Sequence, residues 1–260
     1  KIPARSNRSI GGVAFVKKTF NLNKHQRELY IIKEILQGNI PDFLRQLIAI
    51  TIKIKQNNKN IKAILWVMPD YLAIGSNQDY VRMPMDPVSA QRIADAFGFL
   101  MPTTKIVDEI YKTAQVKLEP RPLPPGKNMT SSEYYLRHNN IINTQLKNKL
   151  GTSYLIAGHK KDVVITNKLN NFPYRVAIYG WHRSNGTHIQ PLSIVHSNDY
   201  ADYSHGIRLV ANKILINGKE YVLENVLKDK KLCMIVSYEC PIIKPRLNKQ
   251  YKHSVAFLFP

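Results

Sequence analysis

Apolar residues recur at helical spacing early in the chain and at strand spacing later. In "HQRELYIIKEILQ" (25–37), Leu29, Ile32, Ile35 and Leu36 form one stripe, which predicts a helix that Gly38 and Asn39 bring to an end. Pro41 suits the first turn of a second short helix over "PDFLRQLIAI". "AITIKIK" (49–55) and "KAILWVM" (62–68) flank the turn-rich "QNNKN" and predict a hairpin, and "YLAIG" (71–75) predicts another short strand. Helices follow over 87–100 and 103–114, separated by Met101 and Pro102. Thr130 with Glu133 makes a capping-box pattern that opens a helix over 131–149. Beyond that point the segments "SYLIAG", "KDVVIT", "YRVAIYGW", "GIRLVANKILI", "EYVLENVL", "CMIVSY" and "VAFLF" all predict strands.

These elements predict an α+β fold, with a helix-rich N-terminal half packed on a mostly antiparallel C-terminal sheet. Residues 1–24 show no period and are expected to be an irregular arm. The segment 118–127, built around "LEPRPLPPG", reads as an extended connector, because its prolines fix φ and remove donors. It is the one candidate boundary. Strands predicted ahead of it favour a single domain over 1–260, with the sheet-rich part at 150–260.

Composition narrows the partner class. A hydrophobic content of 44% is a globular value, whereas the formal charge of +20 points to a polyanion: an anionic cell-wall glycan or peptide, or nucleic acid. Stretches such as "IKIKQNNKNIK" (52–62) leave compositional drift as the alternative, since the basic residues are spread rather than clustered. Cys233 and Cys240 are too few for a disulfide framework, and could form one bridge in an exported protein or stay as thiols. No apolar run is long enough for a transmembrane segment. A first residue other than Met fits a removed signal peptide or a truncation, and with the charge it suggests a secreted or periplasmic protein. The chain has no Gly-rich phosphate loop and no dinucleotide fingerprint, so no nucleotide cofactor is expected.

Candidate chemistry concentrates in "HSNDYADYSHGIRLV" (196–210) and just before it. Five of the eight histidines, His159, His182, His188, His196 and His205, fall between 159 and 205 together with Asp162, Asp199 and Asp202. Strand alternation over 203–210 puts Tyr203, His205, Ile207 and Leu209 on one face and Ser204, Arg208 and Val210 on the other. Ser204 and His205 therefore make a poor nucleophile–base pair. The same rule over 175–183 aligns Val176, Ile178, Gly180 and His182. His188 is expected at the surface, and Asp70, Ser76 and Asp79 around a hairpin turn.

Two mechanisms fit these side chains. In one, His159, His205 and Asp202 bind a zinc ion that acidifies water. In the other, a histidine oriented by an aspartate moves the proton, with Tyr203 or Arg208 stabilising developing charge. The spacings match no zinc signature. Catalytic candidates are His159, His205 and Asp202, then His182 and His196. Substrate-binding candidates are Arg208 for a carboxylate, Tyr203, and Trp181 for stacking on a sugar ring.

The segment "YSHGIRLV" (203–210), preceded by "IYGWHRSNGTHIQP" (178–191), resembles the active-site segment of the peptidoglycan L,D-transpeptidases. That family joins an upstream His-Gly element to a Ser-His-Gly-Cys-hydrophobic-Arg motif. Ser204, His205, Gly206, Ile207 and Arg208 align with it only when the cysteine is deleted, so the family's nucleophile has no counterpart here. The resemblance implies a cell-wall substrate and not that family's reaction. The expected function is an exported hydrolase of a cell-envelope polymer, peptidoglycan or an associated anionic glycan. An acidic-polysaccharide lyase and a non-catalytic basic module that binds a polyanion or nucleic acid remain open.

Overall fold

A computed structural model describes residues 2–147 and 154–247. The protein is α+β, with mostly antiparallel sheets. The strongest apolar alternation builds its longest hairpin: β1 (Ile48–Gln56) and β2 (Lys59–Val67) pair antiparallel from Ile48 opposite Val67 to Gln56 opposite Lys59. Asn57 and Asn58 turn it with φ of 47° and 60°, a left-handed conformation that Asn tolerates better than most residues. β2 also pairs with β12 (Val210–Ile216), which in turn carries β13 (Lys219–Tyr221) and β5 (Phe99–Leu100). The main sheet thus takes strands from both halves of the chain.

The helices follow the expected stripes. They are α2 (Lys24–Leu36), α3 (Pro87–Phe97), α4 (Thr104–Thr113) and α5 (Ser132–Leu146). The side chains of Asn23, Asp86, Thr103 and Ser131 accept from the backbone at their N-termini. The cap of α5 is Ser131, one residue beyond the Thr130 expected. The first 24 residues are less irregular than their pattern suggests, since α1 (Gly12–Lys18) lies within them. Seven residues are too few to display a period, and tertiary contacts hold this helix: Asp79 accepts from the Val13 amide at 2.9 Å. Two expected strands take other forms. "EYVLENVL" gives only β13 before turning into α6 (Leu223–Lys228), where Leu223, Val226 and Leu227 bury a helical stripe. "CMIVSY" opens with a 3-10 turn at Cys233–Ile235. "PDFLRQLIAI" likewise forms a 3-10 turn at Asp42–Arg45 and then enters β1. The end of the 131–149 segment, the start of "SYLIAG", all of "VAFLF" and His253 lie outside the described residues.

A second sheet carries the region of interest. Its strands run in the order β10 (His188–Ser193), β9 (Ile178–His182), β8 (Lys161–Val163) and β11 (His205–Gly206), with β8 and β11 parallel. Two smaller ladders complete the fold. β3 (Ala73–Gly75) pairs with β4 (Tyr80–Arg82), and β6 (Val116–Lys117) runs parallel to β7 (Ile156–Ala157). The connector after β6 is tied to the interior by Tyr203, whose hydroxyl accepts from the Leu123 amide at 2.7 Å. Cys233 and Cys240 are joined in a disulfide, their Cα atoms 5.6 Å apart. The loop it closes docks beside the second sheet, where Glu239 accepts from the Thr166 hydroxyl and the Asn167 amide.

Candidate functional site

The parallel register of β8 and β11 sets His205 beside Lys161 and Gly206 beside Asp162. Successive residues of a strand point to opposite faces, so Lys161 and His205 share one face and Asp162 and Gly206 the other. The second face is closed by Tyr71. A Cβ added to Gly206 would lie 2.5 Å from that ring, so only glycine fits there. The Tyr71 hydroxyl donates to Asp162 at 2.8 Å, and the Arg208 guanidinium lies 4.4 Å over the Tyr71 ring. Arg208 is fully buried; its terminal nitrogens donate to the carbonyls of Met68 (2.8 Å) and Ile156 (2.6 Å), while its Nε lies 4.0 Å from Asp162 without a hydrogen bond. It clamps backbone and presents nothing to the surface.

His159 belongs to this closed face. Its ring meets Tyr71 edge-on at 4.8 Å, and its Nε2 lies 2.9 Å from Asp70 Oδ1. Arg82 grips the same carboxylate through Nε and Nη2. Burial alone would raise the Asp70 carboxyl, but the charge of Arg82, aided by His159, holds it far below the usual range. An ionised Asp70 takes the His159 Nε2 proton as its hydrogen bond, leaving Nδ1 bare, with no partner in its buried setting. Burial outweighs Asp70 and lowers His159 to about 4. Burial likewise raises Asp162 to about 6, against the pull of Arg208 and Tyr71.

The opposite face is built differently. Asp202 closes a tight turn in which its Oδ1 accepts from the Ser204 amide (2.7 Å) and the Ser204 hydroxyl (2.5 Å), while its Oδ2 accepts from the Tyr200 hydroxyl (3.2 Å). The turn ends with the His205 amide donating to the Asp202 carbonyl at 3.0 Å. Ser204 is thereby committed to Asp202, in keeping with its poor alignment as a nucleophile. His205 is fully buried, and neither of its ring nitrogens has a hydrogen-bond partner. Burial pushes its pKa below the ordinary histidine value, opposed by the charge of Asp202 and helped by Lys161 and His196. Asp202 moves the other way from what burial dictates, because His205 and the Ser204 bonds hold it ionised. Over His205 lies Tyr200, edge-on at 5.7 Å, and His196 stacks on Tyr200 at 4.2 Å. Both covering rings are partly exposed. Asp199, on the same loop, turns outward to Lys24.

Two features flank this face. Lys161 is half-buried, with its Nζ 5.3 Å from the centre of a Trp181 ring. Trp181 is itself buried and its Nε1 has no partner. The backbone beneath it is unusual: Gly180 and Trp181 have φ of 97° and 58°, and positive φ at a bulky residue is strained. Gly180 and His182 nevertheless share a face as alternation expects, since a Cβ built on Gly180 would lie 3.3 Å from the His182 ring. Deeper in, Lys160 donates to the Tyr203 carbonyl at 2.6 Å and lies 3.4 Å from His138 Nδ1. Burial, then the nearby charge of Arg82, lowers this lysine to about 7.

The structure therefore brings His205, Asp202 and His196 together, with Trp181 close by across Lys161. It sets His159 and Arg208 on the far face of the ribbon. Tyr203 is placed in the interior, where its hydroxyl holds the connector. His182 goes elsewhere: its Nε2 is 3.1 Å from Asp108, which also accepts from Tyr179 and Tyr238, and its ring stacks on Tyr111. His188 is exposed, as expected. Of the residues around the 68–80 turn, Ser76 and Asp79 do form the hairpin, through the Ser76 amide and the Asp79 carbonyl. Asp70 instead anchors a buried ion network. Sequence reasoning passed over Tyr71, Arg82, Lys160, Lys161 and Tyr200. All of these but Arg82 lie within two residues of a named aspartate or histidine, which was the one signal available for them.

Among the described residues, no three His, Cys, Asp or Glu side chains are grouped so as to hold a metal ion. No described helix is long and apolar enough to cross a membrane. No family model, curated protein or solved structure matches the chain.

Proposed function

We propose that the protein is an exported hydrolase of a cell-envelope polymer, peptidoglycan or an associated anionic glycan, in which His205 backed by Asp202 moves the proton. The observation that carries this is His205 itself: a buried imidazole beside an ionised carboxylate, with both ring nitrogens unbonded and only two partly exposed rings above it. A buried polar group without a partner costs about 1–3 kcal/mol. Such a cost is tolerated where the group is needed for chemistry.

Its lowered pKa makes His205 a free base at neutral pH. When the Tyr200–His196 pair swings aside, polymer and water reach the ring. His205 takes a proton from water as the oxygen attacks, and Asp202 stabilises the imidazolium that forms. The same proton then goes to the leaving group. The net charge of +20 draws an anionic polymer to the protein. The Cys233–Cys240 disulfide is suited to an oxidising compartment outside the cytosol.

The test is release of soluble fragments from purified peptidoglycan and acidic glycans by wild type and His205→Ala, with elemental metal analysis of both. Wild-type release that falls about 10²- to 10⁴-fold in the variant supports the proposal. Equal release by the two proteins, or none by either, overturns it. One zinc per chain in wild type, lost in His205→Ala, would replace the free imidazole by a metal-bound water.

A further inference from the structure

We propose that Lys161 Nζ and Trp181 Nε1 form a subsite for an acidic substituent of the polymer, so that the protein selects acidic sugars over neutral ones. This rests on the hydrolase reading for its position beside His205 and on separate observations for its chemistry. Trp181 is only 4% exposed, and its indole N–H has no acceptor, although this group can only donate. Lys161 stands 5.3 Å over the same side chain, and among the described residues no carboxylate lies within ion-pair distance of its Nζ.

Two donors, one of them charged, are thus held together without an acceptor. Trp181 does not reach this position in a relaxed strand, since it and Gly180 both adopt positive φ in β9. Strain of this kind persists where the surrounding structure enforces it, and it clusters at ligand-binding positions. The missing partner is an oxygen bearing negative charge. A carboxylate satisfies both donors at once, giving one charge-assisted and one neutral hydrogen bond. A neutral hydroxyl would give the lysine no direct ion pair, leaving it only the more distant charge of Asp202. The register of β8 and β11 puts Lys161 directly beside His205. A sugar ring whose acidic arm sits in this subsite would therefore present its glycosidic linkage or peptide branch toward the imidazole. Arg208, expected to hold a substrate carboxylate, is occupied by backbone carbonyls on the other face.

The experiment uses N-acetylmuramic acid and N-acetylglucosamine, two sugars that differ by a lactyl carboxylate. Binding is read from the indole N–H resonance of Trp181, identified as the signal lost in Trp181→Phe. The acidic sugar is expected to shift that resonance saturably and the neutral one to leave it in place. Lys161→Gln should weaken the acidic sugar about tenfold, while Lys161→Arg keeps most of the affinity. Equal effects of the two sugars, an unchanged affinity in Lys161→Gln, or a resonance that neither sugar moves would each overturn the proposal. Those results with polymer cleavage intact remove the subsite alone. Selective binding of the acidic sugar without any His205-dependent cleavage removes the hydrolase and keeps the subsite.

Discussion

On one face of the β8–β11 ribbon, Asp162, Tyr71, Arg208, His159, Asp70 and Arg82 are knit into a buried network in which most donors and acceptors have partners. On the other, His205 sits beside Asp202 with both ring nitrogens unbonded, under the partly exposed rings of Tyr200 and His196. Both faces hold a histidine, a carboxylate and a cation. In the first, the carboxylates and cations neutralise one another, and removing any of them strands a charge in the interior. In the second, the carboxylate is bound by hydroxyl and amide donors, the histidine is left free, and the lysine acts on Asp202 through its charge without a direct ion pair. His159 Nδ1, Asp162 Oδ1 and Arg208 Nε on the first face also lack partners. The second is therefore set apart by an imidazole with no hydrogen bond at all, lying under partly exposed rings.

Removing one member from each face separates their roles. Arg82→Ala leaves Asp70 buried beside His159 with its main counter-charge gone, and is expected to cost about 3–5 kcal/mol of stability. Urea unfolding followed by circular dichroism measures it. A loss below about 1 kcal/mol would mean that the closed face does not hold the fold. His205→Ala is expected to do the reverse. It breaks no side-chain hydrogen bond and strands no charge, leaving only the cost of a cavity. Unfolding should therefore shift less than in Arg82→Ala, while the proposed cleavage falls about 10²- to 10⁴-fold. Gly206→Ala tests the seam between the faces. Its added methyl meets the Tyr71 ring, and overpacking of this kind costs about 1–3 kcal/mol. Combined with Tyr71→Ala, which opens the space, the methyl should cost markedly less. Equal costs in the two backgrounds would mean that Tyr71 is not what closes that face.

How much of this was legible beforehand depended on the distance over which each signal acts. The helices at 24–36 and 104–113 and the 48–67 hairpin come from local apolar periods, and the structure has them nearly as expected. Alternation also placed Arg208 on the opposite face from His205. It also held for Gly180 and His182, which share a face although Gly180 and Trp181 adopt positive φ, a kink that leaves no mark on the polar pattern. The pairing of His159 with Asp70 spans 89 residues and that of Arg82 with Asp70 spans 12. Nothing local links them, so Asp70 read as a turn residue. Clustering along the chain grouped His159 and His182 with His205. In space one faces Asp70 and the other Asp108, because the neighbours that decide a histidine's role lie on other strands and helices.

The smallest expected effect concerns pH and separates the charges of the closed face from one another. Between the ordinary histidine value of 6.5 and about 4, His159 stays neutral in the folded protein but takes up a proton when unfolded. The unfolded state then binds more protons, and stability falls as pH falls. Asp162 has the opposite sign. Its folded pKa of about 6 lies above its ordinary 3.8, so over the interval between them the folded state binds the extra proton and stability rises as pH falls. In wild type the two contributions oppose each other. Asp162→Asn removes only the second, keeping a carbonyl oxygen to accept from Tyr71. The variant should therefore lose stability more steeply than wild type between about pH 6 and 4, by at most about 1.4 kcal/mol per pH unit. Urea midpoints at pH 6, 5 and 4 would show it. A slope no steeper than that of wild type would mean that Asp162 is ionised throughout this range, with Arg208 rather than burial controlling it.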